Sequence, residues 1–262
     1  MLSTDRRLDI VLAVLSVAVA MAVPVGLSVA GVRWTDWLPA TCMPDGCFCE
    51  ADRAGWLRQP ANVVSSLAFC LVAALVVLGR GVPAGGSDDR EDRYLFWATA
   101  TFIGLGSSFF HASLTFVGQT FDLLGMYLLA TLLLLWSARR RLPWTSSARV
   151  AIYVIGNIVL LAVLIGWPAL RRYVFAALVA AILLAERSGD TTAGAVVSRK
   201  YLLMAIGLLL AGFAIWILDL TKILCSPVSI VQGHAAWHLL GAAAALAAYA
   251  HYHQRPPGPR TN

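Results

Sequence analysis

Residues 94–116 read YLFWATATFIGLGSSFFHASLTF. The stretch holds no Lys, Arg, Asp or Glu, and a helix of about 20 such residues crosses the apolar core of a bilayer. Its second half nevertheless carries Ser107, Ser108 and His111. Ionisable groups are expensive inside a membrane and mark function when they occur there. Working outward, comparable apolar stretches fall at about 9–31, 62–79, 119–138, 150–168, 172–186, 201–219 and 233–252. With 94–116 these make about eight spans, and the fold class is all-α, a polytopic membrane helix bundle. The stretch at 172–186 is short, and every later segment would change sides if it did not span.

Composition agrees. Of 262 residues, 59% are hydrophobic and 13% are charged, with a mean hydropathy of +0.75. Ordinary soluble domains carry about 25% charged residues. So few charges rule out a disordered chain and a nucleic-acid-binding domain, and argue strongly against a soluble enzyme. The net charge of +6 reads instead as the basic bias that orients a membrane protein. Arg6, Arg7, Arg80, Arg90, Arg93, Arg139, Arg140, Arg141, Arg149, Arg187, Arg199, Lys200, Arg255 and Arg260 fall in one alternating set of connections. Arg33, Arg53, Arg58, Arg171, Arg172 and Lys222 fall in the other. That skew predicts both termini in the cytoplasm and an even number of spans. A signal peptide is the alternative for the first stretch, but its apolar run is long for one, so it reads as a retained helix. The segment 80–93 reads as a solvated loop, and RPPGPRTN at the end as a disordered tail. Compact loops without targeting extensions suit a bacterial inner membrane.

Cys42, Cys47, Cys49 and Cys225 fall on the side that the charges place outside, where disulfides persist, and Cys70 lies inside a span. The four outer cysteines read as disulfides in preference to a metal site, because their spacing matches no zinc knuckle. A bridge from the first loop to Cys225 would tie the start of the bundle to its end.

The groups within or at the ends of spans that stand out as candidates are Ser107, Ser108, His111, Asp122, Asp219, His234 and His238. His234 and His238 are four apart, so both rings leave one helix face. That spacing places two nitrogens on one metal ion, although the intervening glutamate of soluble zinc proteases is absent. Ser107 and His111 share a face in the same way. With the orientation above, His111, Asp122, His234 and His238 lie at one depth near the outer side. Three imidazoles and a water would complete a tetrahedral zinc site. Structural histidines, or a bis-histidine haem, are the alternatives. Asp122 tips the balance toward a metal, since a carboxylate in an apolar helix needs a partner.

At these residues the sequence resembles the alkaline ceramidase family, within a superfamily of seven-helix membrane hydrolases that includes the adiponectin receptors. The likeness rests on Cys49-Glu50, Asn62 to Ser65, Gly104 to Leu114, Gln119 to Asp122, Trp216 to Asp219 with Cys225 beyond, and Gly233 to His238. It covers about residues 42–250.

The resemblance implies a seven-helix core at 62–252. The chain departs from the family in an extra amino-terminal helix at 1–32, joined to that core by an extracytoplasmic loop at 33–61, and the tail at 253–262 follows it. The resemblance implies that His111, His234 and His238 bind zinc. Asp122 would act as general base and Ser107 would hydrogen-bond the water or the developing oxyanion. The substrate would be a ceramide-like lipid within the bilayer, split into a sphingoid base and a fatty acid. Hydrolysis of another acyl lipid, or a non-catalytic, receptor-like protein braced by zinc, are the alternatives. The resemblance also implies disulfides Cys49–Cys225 and Cys42–Cys47. Eukaryotic members hold calcium before the core. Here Glu50 and Asp52 match that set and Asp45 is a further carboxylate, whereas Cys47 and Gln59 stand where acids are expected, so calcium stays open.

Overall fold

A computed structural model describes residues 4–80, 90–139, 142, 144–187 and 199–253. The expected loop at 80–93 and tail at 253–262 therefore lie largely outside the described residues. Those described form a helical bundle, with one isolated β-bridge between Pro39 and Thr115. The helices are α1 (Thr4–Val29), α2 (Pro60–Ser66), α3 (Ala68–Val77), α4 (Arg90–Ser113), α5 (Phe116–Ala138), α6 (Ser146–Gly166), α7 (Arg171–Arg187), α8 (Arg199–Leu220) and α9 (Gly233–Tyr252).

Among the described residues, five helical segments are long and apolar enough to cross a membrane: Pro60–Val77, Phe116–Ala138, Ser146–Gly166, Pro168–Arg187 and Arg199–Leu220. The first joins α2 and α3, so the single helix read at 62–79 is two helices with a break at Leu67. α4 and α9 carry the serines and histidines singled out above, and α4 also has a charged first turn.

α4 lies at the centre, against α3 on one side and α5 on the other. Glycines make both approaches possible. A Cβ on Gly104 would come within 3.1 Å of the Cys70 backbone nitrogen, and one on Gly106 within 3.0 Å of the Phe121 carbonyl oxygen. Small residues let helices in a membrane pack backbone to backbone in this way. The core between α3, α4, α5 and α9 is filled by Phe96, Leu132, Trp136 and Tyr249. α1 lies against α3 through Ala13, Ala74 and Val77.

The turn from α4 to α5 is tight. Leu114 takes a positive φ of 48° and is buried. The Thr115 hydroxyl accepts the Gly118 N–H at 3.1 Å, capping α5. The cap starts α5 three residues before the first one read from the apolar pattern, so Asp122 falls in its second turn and not its first. The first loop returns over this turn: Ala40 N donates to Leu114 O, and Phe116 N to Leu38 O. Ala40, Cys47, Phe110 and Leu114 form a small core beneath it.

Candidate metal centre

α4 ends, and α9 begins, under that loop. His111 lies in the last turn of α4, and His234 and His238 lie in the first two turns of α9. All three are buried, His111 completely. One nitrogen from each lies within 4.8 Å of the others, the only such group of three or more His, Cys, Asp or Glu among the described residues. His111 Nε2 and His234 Nε2 are 3.2 Å apart.

The hydrogen bonds behind the rings decide what those nitrogens offer. His111 Nδ1 is 2.8 Å from Gln59 Oε1. His238 Nδ1 is 2.8 Å from the Ser65 hydroxyl, which itself donates to Asn62 O. A hydroxyl whose proton is engaged there receives one from Nδ1. Both rings thus carry the proton on Nδ1 and turn a bare Nε2 inward. The His234 ring stacks on Phe48 with centroids 3.7 Å apart, and its buried Nδ1 has no hydrogen-bond partner among the described residues. Two bare inward Nε2 atoms, with His234 Nε2 3.2 Å from that of His111 and all three rings buried, form a donor set that fits a metal ion.

Ser107 and Asp122 flank the triad. Ser107 Oγ lies 3.4 Å from His238 Nε2 and 3.1 Å from Ser66 Oγ, with Asp122 beside it. Ser108 turns away and donates to Val63 O at 3.1 Å. Asp122 is only partly buried, so its carboxylate keeps an accessible side.

The outer loop is laced to the same place. The sulfur atoms of Cys42 and Cys47, and of Cys49 and Cys225, lie at disulfide distance. The three acidic residues read as a possible calcium set are not brought together. Glu50 accepts Ala61 N at 2.8 Å and Asn62 N at 2.9 Å, one on each oxygen, and so holds the start of α2. Burial pushes its carboxyl above the ordinary range, against the pull of those two N–H groups. Both oxygens of Asp52 pair with the Arg58 guanidinium. Asp45 contributes only its backbone carbonyl, to Lys222 Nζ at 2.8 Å.

Sequence reasoning gave no site role to Gln59, Ser66 or Phe48, and left Asp219 as a lone polar group at the end of a span. Asp219 is buried and bridges two segments: Oδ1 accepts Cys49 N at 3.0 Å, and Oδ2 accepts His234 N at 2.9 Å. A Cβ on Gly233 would lie 2.9 Å from the Asp219 Cβ, so only glycine lets α9 start there. The signal for Asp219 was a carboxylate next to an apolar run. Gln59 stands only where a calcium-binding acid is expected, with nothing in the sequence to link it to a histidine.

Fold and site together define a helical membrane protein with a buried three-histidine centre able to hold a metal ion. A family model described as Ceramidase matches residues 49–254, most of the chain and every residue of that centre. The chain belongs to the ceramidase family. Membership implies a hydrolase acting on the amide bond of a ceramide, and hence a lipid substrate.

Proposed function

We propose that this protein is a zinc-dependent amidase that hydrolyses the N-acyl bond of ceramide-like lipids to a sphingoid base and a fatty acid. The observation that carries the reading is the convergence of His111, His234 and His238 beside the Ser107–Asp122 pair. Three imidazole donors, with no fourth His, Cys, Asp or Glu grouped with them among the described residues, suit the open zinc site of a hydrolase. Zinc, when bound, supplies a Lewis acid for the scissile carbonyl and an activated water at neutral pH. Asp122 takes the proton of the attacking water and returns it to the leaving amine. Ser107, between His238 and Asp122, hydrogen-bonds the water or the developing oxyanion.

An alkyl chain has a place to lie. An apolar cavity of about 150 Å³ lies between α5, α7, α8 and α9, lined by Met126, Leu133, Phe175, Leu209, Trp237 and Tyr252; none of the three histidines lines it. We assign eight spans, a seven-helix core with α1 added, both termini to the cytoplasm and the zinc site to the outer side. The basic residues of the connections support that orientation, and the paired outer cysteines agree with it.

The test is metal analysis with lipid turnover on the purified protein. About one zinc per chain is expected, with fatty acid released from a ceramide. Wild-type protein without zinc, or zinc-loaded protein that turns over no acyl lipid, ends the proposal. Cleavage of another acyl lipid in preference to ceramide would keep the chemistry and change the substrate.

A further inference from the structure

Gln59 is the last residue of the outer loop and precedes Pro60, the first residue of α2. A glutamine beside a helix start is ordinarily solvated, but this one is 1% exposed. Its side-chain Nε2 donates to Glu50 O at 3.0 Å, and its Oε1 accepts Asn62 Nδ2 at 3.3 Å. These two contacts fix which end of the amide is oxygen, because a carbonyl needs a donor and an amide N–H needs an acceptor. The backbone is held as well: Gln59 N donates to His111 O at 3.0 Å, and Arg58 N to Ala112 O at 3.2 Å.

The oxygen so fixed lies 2.8 Å from His111 Nδ1. A carbonyl oxygen only accepts, so Nδ1 carries the proton and the neutral ring has a bare Nε2. That Nε2 faces His234 Nε2 across 3.2 Å. The three candidate ligands differ in their support. His238 leans on the Ser65 hydroxyl, His234 has the Phe48 ring and no hydrogen bond to Nδ1, and His111 has an amide locked by two further contacts.

We infer that Gln59 is a positioning residue of the metal centre, which holds His111 in the tautomer and orientation that aim Nε2 at the ion. The inference rests on the metal-hydrolase reading above. Gln59 acts through His111 and touches neither the ion nor the substrate. Partners behind a ligand histidine change metal affinity about 10–100-fold when removed. A neutral amide orients the ring without adding charge. A carboxylate at the same place would be a stronger acceptor and would bring a negative charge toward the ion.

The test uses full-length protein purified in detergent, with zinc affinity measured by competition against a chromophoric chelator. Gln59→Leu is expected to bind zinc about 10–100-fold more weakly, and Gln59→Glu as tightly as wild type or more so. Histidine ring ¹⁵N spectra of metal-free wild type, with His111 assigned by the signal lost in His111→Asn, are expected to show the proton on Nδ1. Unchanged affinity in Gln59→Leu, or a His111 proton on Nε2, overturns the inference. If the leucine variant does not fold, a glutamate variant that binds zinc more weakly than wild type also overturns it. The two readings fail differently. Wild type that binds no zinc defeats the hydrolase reading, whereas wild type that binds zinc and cleaves lipid beside a leucine variant of equal affinity defeats only the role of Gln59.

Discussion

At one end of the bundle His111, His234 and His238 turn toward one another, with ring centroids 4.5–5.0 Å apart. At the other end His251 and His253 turn toward carboxylates, Glu186 at 3.1 Å and Asp92 at 3.4 Å. Both groups are buried, and four of the five histidines belong to α9 or its C-terminal cap. Burial and residue type therefore do not separate a ligand from a brace. The partner does. Histidines that face acids tie α9 to α7 and α4. Histidines that face one another share a space that a cation fills. Spacing underlies the contrast: residues 234 and 238 share a helix face, whereas 251 and 253 point to different neighbours.

The sharpest way to break this comparison is to exchange the two ends by mutation. His234→Ala is expected to abolish both bound zinc and lipid hydrolysis, read by metal analysis and fatty-acid release. His251→Ala should keep its zinc. If both variants keep the metal, the distinction between the two ends collapses. Next in size is Asp122→Asn, which should retain zinc while turnover falls about 10²–10⁴-fold, the usual contribution of a general base. Loss of metal in that variant would move Asp122 from proton transfer to ion binding. At the braced end, His251→Ala leaves the buried Glu186 without one of its partners. A loss of about 1–3 kcal/mol is expected, seen as a lower unfolding midpoint in detergent with activity per folded molecule unchanged. The smallest effect concerns the outer loop. A calcium-selective chelator should leave turnover unchanged, because Glu50 and Asp52 already spend their oxygens on the start of α2 and on Arg58. A calcium requirement would show that the loop rearranges to release them.

The parts of the site legible in the sequence were those set by helical repeat. The four-residue steps from Ser107 to His111 and from His234 to His238 need only the geometry of one helix. Apolar length located most helices, but it missed the charged first turn of α4, which begins at Arg90, and the Thr115 cap that starts α5 at Phe116. What stayed hidden depends on pairings across the chain. Gln59 meets His111 over 52 positions, and Asp219 meets Cys49 over 170. Nothing in the neighbourhood of Gln59 distinguishes it from a solvated residue at a helix start. The acids of the outer loop were visible, but their engagement was not, since Glu50 acts as a cap only once α2 is known to begin at Pro60.

The bridge between Cys49 and Cys225 spans 176 positions, and the centre beside it draws on α4, the first outer loop and α9. In the order of synthesis, His111 and Gln59 enter the membrane well before His234 and His238. A chain cut short anywhere before residue 233 holds at most one of the three imidazoles and lacks the helix whose start Asp219 caps. The activity is thus withheld by timing: a protein placed among the lipids it is proposed to cleave has no site with which to cleave them until its last helix is in place.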